Sequence, residues 1–295
     1  MRSLLFAPAD SDRKLDKAFA CGSDAVIIDL EDSVAPEGKP LARERAARFL
    51  AHTTGLTHRP RLLVRINSLP SGLADADLDA VVPAAPDAIL LPKSEGSASV
   101  VHLAAKLTAC EAVHGVADGH IGIIAIATET AGSLFQLGSY SGSSARLVGM
   151  TWGAEDLSAE LGATANRDST GQFLAPYRLA RTLCLAGAVA AQVEPIDTVY
   201  VDFRDEAGLR RETEEACRDG FTGKMAIHPA QVAIINEVFT PTAQAVAEAH
   251  AIVAAFAAAP GSGVVGINGV MYDMPHLKRA QRVLARANAS SARIA

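Results

Sequence analysis

Eight short runs rich in Val, Ile and Leu alternate with stretches of good helix formers, and most runs are followed at once by charged or amide side chains. These observations predict an α/β fold: a (β/α)8 TIM barrel over residues 1–240, with a C-terminal helical and lid extension over 241–295. Regular alternation calls for parallel strands joined by crossover helices. Runs that are apolar on both faces fit strands with a core on one side and helices on the other. A chain of 295 residues, 49% hydrophobic and 20% charged, can enclose such a barrel as one domain plus a tail.

In order, the predicted strands are Leu4–Phe6, Ala25–Asp29, Arg61–Ile66, Ala88–Leu91, Ile121–Ala127, Arg146–Thr151, Thr198–Asp202 and Lys224–Ile227. The crossovers are filled by Arg13–Ala20, Leu41–Ala51, Asp75–Val82, Ser97–Val113, Tyr177–Val193 and Glu206–Asp219, the last strongly charged on one side. After the eighth run come a helical stretch, Ala243–Ala258, a Gly-rich segment, Pro260 to Gly269, and a basic helix, His276 to Asn288. Two inserts interrupt the pattern, the polar loop Asn166–Pro176 and the Gly- and Ser-rich segment Gly138–Ser144.

A net charge of −6 without basic clusters argues against a nucleic-acid partner, since neutralising phosphates takes several Lys and Arg on one face. Cys21, Cys110, Cys184 and Cys217 form no CxxC pair, so neither a zinc site nor a disulfide framework is expected, and free thiols fit a reducing cytoplasm. The apolar start is too short for a secretion signal and soon meets Asp10 and Asp12. Leu183–Val193 and Ala251–Ala259 fall short of the roughly 20 residues of a membrane span, so no membrane partner is expected.

An active site in this fold lies at the carboxyl ends of the strands. Strand two runs into Asp29-Leu30-Glu31-Asp32, strand three into Arg65-Ile66-Asn67, strand four into Pro92-Lys93-Ser94-Glu95 and strand five into Thr128-Glu129-Thr130. Strand six runs into Trp152-Gly153-Ala154-Glu155-Asp156, the predicted seventh into Asp202-Phe203-Arg204-Asp205, and the eighth into His228-Pro229-Ala230-Gln231. Each residue alone has an ordinary reading as a helix cap or its ion-pair partner. Jointly that reading is weaker, because capping alone does not call for Arg65, Lys93 and His228 on one rim. The carboxylates suit a hard cation such as Mg²⁺, which takes one or two of them and completes its shell with water and substrate. Spacing alone does not say which two.

These same stretches resemble the citrate lyase β-subunit-like enzymes, including malyl-CoA and citramalyl-CoA lyases, within the HpcH/HpaI aldolase superfamily. The likeness runs through Arg2-Ser3-Leu4-Leu5-Phe6-Ala7-Pro8, Asp29 to Val34, Arg65-Ile66-Asn67, Leu91-Pro92-Lys93, Glu129-Thr130 and Gly153 to Leu157. It continues through Gly220 to Lys224, Ile227 to Gln231, and Tyr272-Asp273-Met274-Pro275-His276. The resemblance implies a Mg²⁺-dependent lyase that cleaves, or forms by Claisen condensation, a 3-hydroxyacyl-CoA, giving an acyl-CoA and a 2-oxo acid. It implies Glu129 and Asp156 as metal ligands and Arg65 as the arginine that binds the substrate's carboxylate or carbonyl end. Asp29, Glu31 and Asp32 would orient metal-bound water. Phe6, Arg13 and Lys17 would contact coenzyme A, and Ile227 and His228 the thioester. Asp273 would act as acid/base on a lid closing over a neighbouring subunit, which implies a homo-oligomer, a trimer or hexamer. One position departs from the pattern: the Gly that often follows the first-strand Pro is Ala9. The rival readings are a carrier-dependent citrate lyase β subunit, a CoA-independent pyruvate aldolase, and a binding protein without turnover.

Overall fold

In the computed structural model, residues 1–291 are described. The strands β1 (Ser3–Pro8), β2 (Ala25–Asp29), β3 (Arg61–Arg65), β4 (Ala88–Leu91), β5 (Gly122–Ile126), β6 (Leu147–Thr151), β7 (Glu194–Asp197) and β8 (Gly223–Ala226) close a parallel barrel in sequence order. Closure comes from β8 pairing with β1, Lys224 opposite Ser3 and Met225 opposite Leu4.

Alternation along the strands divides the apolar residues between two cores. Leu4, Ala25, Ile27, Leu63, Ala88, Leu90, Ile124, Ile126, Ile196 and Met225 form one cluster, many of them two positions apart on a strand and so on one face of it. The intervening Val26, Ile28, Val64, Ile89 and Ile123 are equally buried, on the opposite face. The crossover helices are α1 (Asp12–Phe19), α2 (Lys39–Thr53), α3 (Ala74–Val81), α4 (Ser97–His114), α5 (Ala154–Glu160), α6 (Ala175–Ala190), α7 (Glu206–Asp219) and α8 (Pro229–Phe239). Asp205 caps α7, its side chain accepting the Gly208 N–H at 2.9 Å. Neither α5 nor α8 is among the predicted helices.

The seventh strand corrects the sequence reading. It spans Glu194–Asp197 rather than Thr198–Asp202. Thr198-Val199-Tyr200-Val201 has the richer β-forming composition, and Pro195 reads as a strand breaker. Pro195 is nevertheless accommodated as the second residue of a short strand, opposite Met150, with its carbonyl accepting the Thr222 N–H at 2.9 Å. The seventh strand therefore delivers Asp197, Thr198 and Val199 to the rim, and Asp202 to Asp205 lie farther out along the loop.

The chain divides into two compact units, Met1–Asn236 and Glu237–Ala295, with the break inside α8. In the second unit α9 (Ala243–Ala258) packs against α10 (Met274–Ser291). The Gly-rich segment holds a hairpin that the sequence reading did not anticipate, β9 (Val264–Ile267) antiparallel to β10 (Val270–Asp273). Asn268 and Gly269, at φ 49° and 80°, make its two-residue turn, a conformation that Asn-Gly adopts readily. No described helix is long and apolar enough to cross a membrane.

Candidate active site

The carboxyl ends of the strands open on a cavity of about 290 Å³. Of the expected site residues it gathers Phe6, Asp29, Arg65, Glu129, Asp156 and Ile227. Ile126, Val199 and Met225 supply an apolar part of its lining.

Glu129 follows β5 and is only 4% exposed. Burial pushes its carboxyl up to about 8, and the Asp156 carboxylate adds to the rise. Its Oε2 accepts the backbone N–H of Lys93. Gly153 makes room for it: a Cβ there would lie 2.9 Å from Glu129 Cγ and 3.4 Å from Oε1. The Gly153 backbone, φ −118° and ψ 120°, is open to any residue, so the site uses the missing side chain rather than a special conformation. Asp156 sits in the first turn of α5, where the helix dipole favours an anion. Two carboxylates on one cavity, the buried Glu129 and Asp156, are a donor set that fits Mg²⁺. Among the described residues no group of three or more His, Cys, Asp or Glu is arranged to hold a metal, so a protein-only cage of the zinc kind does not fit.

Arg65 is the hub of the other side. Its Nε and Nη2 donate to the two oxygens of Asp29, each at 2.7 Å, and Nη1 lies 3.0 Å from Glu31 Oε2. Its guanidinium stands 4.9 Å from the centre of the Phe6 ring. Burial opposes the Arg65 charge, but Asp29, Glu31 and Glu129 outweigh it and raise its pKa. Burial likewise works against the Asp29 carboxylate, yet Arg65, Ser33 and the Glu31 amide hold it below the usual range. In Glu31 burial prevails over Arg65 and Lys93, and its pKa is raised. The carboxylates of Asp29 and Glu31, expected to orient metal-bound water, are thus committed to cations. Asp32 has a side chain 57% exposed and lies 3.5 Å from Lys93.

Lys93 carries a role the sequence reading missed. Its ammonium bonds Glu31 at 2.6 Å and stands 3.6 Å from Asp156 Oδ1, while its amide holds Glu129. Burial works against that ammonium, but Glu31, Glu129 and Asp32 raise its pKa. The backbone adopts φ 50°, unusual for a residue with a side chain. The signal was present in Pro92-Lys93 at the end of the fourth run, but a rim lysine does not announce what its amide does.

The remaining candidates, Arg13, Lys17, His228 and Asp273, are not among the residues lining the cavity. Arg13 and Lys17 are exposed, four residues apart on one face of α1, and neither makes an ion pair among the described residues. His228 stacks on Phe203, ring centres 4.5 Å apart, a pairing hidden until the seventh strand was placed. Asp273, in the second unit, accepts the His276 N–H and bonds the His276 ring, capping the start of α10. The His276 hydrogen bond holds the Asp273 carboxyl low.

Comparison with known proteins gives the same direction. The family described as HpcH/HpaI aldolase/citrate lyase matches residues 2–229, and a C–C bond lyase family of the TIM-barrel fold matches 173–291. The mitochondrial citramalyl-CoA lyase of Rattus norvegicus is 35% identical over 97% of this chain and 86% of its own length. A (3S)-malyl-CoA thioesterase of Cereibacter sphaeroides is 36% identical over 99% and 96%. The crystal structure of CitE from Mycobacterium tuberculosis with magnesium, acetoacetate and coenzyme A superposes with a TM-score of 0.78, at 32% identity, over 98% of this chain and 100% of that one. A family match spanning most of the barrel, and relatives this similar along nearly the whole length, make the chain a member of the HpcH/HpaI aldolase/citrate lyase family of carbon–carbon lyases.

Proposed function

We propose that this enzyme is a Mg²⁺-dependent lyase cleaving a 3-hydroxyacyl-CoA such as citramalyl-CoA or malyl-CoA to an acyl-CoA and a 2-oxo acid, or running the Claisen condensation in reverse. The observation that carries the reading is the buried Glu129 set against Asp156 in a cavity that also holds Arg65. Glu129 and Asp156 would hold the ion, which when bound supplies a Lewis acid for the oxygen that becomes the oxo acid's carbonyl. Arg65, fixed by its fork on Asp29, offers positive charge to the thioester oxygen as the acyl fragment gains enolate character. Ile126, Val199 and Met225 keep water from part of the cavity and so strengthen these interactions. Asp273, reaching in from a neighbouring subunit of a homo-oligomer, a trimer or hexamer, gives the proton to the acyl α-carbon in cleavage and removes it in condensation. Arg13 and Lys17 meet the nucleotide phosphates of coenzyme A with Phe6 beside them, while Ile227 and His228 flank the thioester arm. Two exposed, unpaired cations favour free coenzyme A over a carrier protein or a CoA-independent aldol reaction.

The test is to incubate purified protein with citramalyl-CoA and malyl-CoA, with and without Mg²⁺, and measure pyruvate and glyoxylate. Metal-dependent release of either is expected, and its absence with both substrates rejects the proposal. Full turnover by Asp273→Asn would reject the acid/base role alone.

A further inference from the structure

A second cavity, of about 380 Å³, lies between α6 and α7 beside the loop that spans residues 166–173. Four arginines line it, Arg167, Arg178, Arg181 and Arg211. Four carboxylates line it too, and each has a partner, Glu215 the loosest at 3.9 Å from Arg181. Asp205 accepts from Gly208 N and from the Tyr200 hydroxyl at 2.7 Å, Glu212 pairs with Lys224 at 2.9 Å and Arg167 at 2.8 Å, and Asp219 pairs with Arg181. The cations are not all used. The Arg178 and Arg211 guanidinium groups make no hydrogen bond or ion pair among the described residues, and Arg181 Nη2 is buried without a hydrogen-bond partner. The spare donors of this cavity are therefore positively charged forks, the geometry that suits phosphate and carboxylate oxygens.

Behind the cavity, buried contacts lead to the helix that carries Asp156. Lys224, fully buried on β8, bonds Asp197 at 2.6 Å as well as Glu212. Asp197 accepts the indole N–H of Trp152 at 2.8 Å, and Trp152 directly precedes Gly153. The loop takes a second route. Arg167 lies over the Phe173 ring at 3.6 Å, Phe173 packs edge-on against Trp152 at 5.0 Å, and Asn166 donates to Glu155 at 2.8 Å. An anion that competed for Arg167 would loosen its hold on Glu212 and move the ring stacked beneath it.

We propose that this cavity binds a small oxyanion, a phosphate or a dicarboxylate, and that its occupancy reaches the Asp156 helix through Trp152. The inference does not depend on which acyl-CoA the enzyme cleaves.

Trp152 is the single tryptophan of the chain, so its emission reports on this linkage directly. The full-length protein is titrated with inorganic phosphate and separately with succinate, ionic strength being held constant with chloride. A saturable change in emission is expected with one or both, and the tighter of the two identifies the anion's source. In R178Q/R211Q the midpoint should rise about tenfold or more, because charge-assisted hydrogen bonds are the strong ones. In R13Q/K17Q it should not move. Both arginines of the first pair are exposed, and circular dichroism checks that the variant is folded. No saturable change with either anion, or a response that R178Q/R211Q leaves intact or R13Q/K17Q abolishes, overturns the proposal.

Discussion

Replacing Gly153 by alanine asks how finely the position of one carboxylate governs this site. The added Cβ would lie 2.9 Å from Glu129 Cγ, whereas carbons in contact settle at roughly 3.5–4.0 Å, so about 0.6–1.1 Å of movement is required. Glu129 has little freedom to give way in place, being 4% exposed and tied through Oε2 to the Lys93 amide. The backbone at 153 accepts alanine without strain, so crowding is the whole perturbation. Misplacing a catalytic group by ~1 Å costs on the order of 10²-fold in rate, while one extra methyl typically costs about 1–3 kcal/mol of stability. In a chain of this size each kcal/mol lowers the unfolding temperature by about 1–2 °C. The assay follows pyruvate release from citramalyl-CoA by coupled NADH oxidation across a Mg²⁺ titration, with thermal unfolding alongside. Turnover should fall about 100-fold and half-saturating Mg²⁺ should rise, with the fold intact. A variant with parental turnover and parental Mg²⁺ dependence would refute the claim that Glu129's position is set by the missing side chain.

Other substitutions separate the charge clusters. Arg65→Lys cannot reproduce the two-pronged contact with Asp29, so kcat should drop about 10²-fold while half-saturating Mg²⁺ stays put; a shift in Mg²⁺ dependence alone would contradict this. Lys224→Ala leaves the Asp197 carboxylate buried without its main partner and should cost about 3–5 kcal/mol in urea denaturation, against under ~1 kcal/mol if the pair contributes nothing. Glu111 is buried, which alone would raise its pKa, but Arg146 and the amides of Ile121 and Gly119 hold it below 4.5. Its contribution to stability is therefore complete above pH 4.5 and lost as the pH falls through the lower folded value. Glu111→Gln should be less stable than the parent at neutral pH, with the gap closing in acid; a gap of constant size across the range would show that Glu111 is not the titrating group.

The barrel was legible because its signal is repeated. Ala25–Asp29 and Ala88–Leu91 are read from the sequence with their observed limits, since a buried parallel strand leaves an uninterrupted apolar run. The seventh strand was not, because Thr198 to Val201 outscores Glu194 to Asp197 in β propensity and only pairing with β6 and β8 decides between them. The hairpin at 264–273 shows a different failure: the stretch reads from its composition only as Gly-rich, although Asn268-Gly269 is a strong local turn signal. At the site, residue types and rim positions could be read for Arg65, Glu129 and Asp156, but choosing that pair of carboxylates required the family likeness. Contacts made through the main chain, such as the Lys93 amide on Glu129, or through an absent side chain, as at Gly153, have no expression in composition or spacing.

Lys93 joins two demands that cannot be tuned apart. Its left-handed backbone aims the amide at the Glu129 carboxylate while its ammonium neutralises the group around Glu31. Glycine would relieve a backbone cost of about 1 kcal/mol, and asparagine would tolerate the conformation, but both discard the ammonium. Arginine keeps the charge and the strain together, on a longer arm. No single natural replacement satisfies both, so the position has no neutral neighbours in sequence space. Gains in stability sought here by consensus or glycine substitution would come directly out of the electrostatics of the cavity.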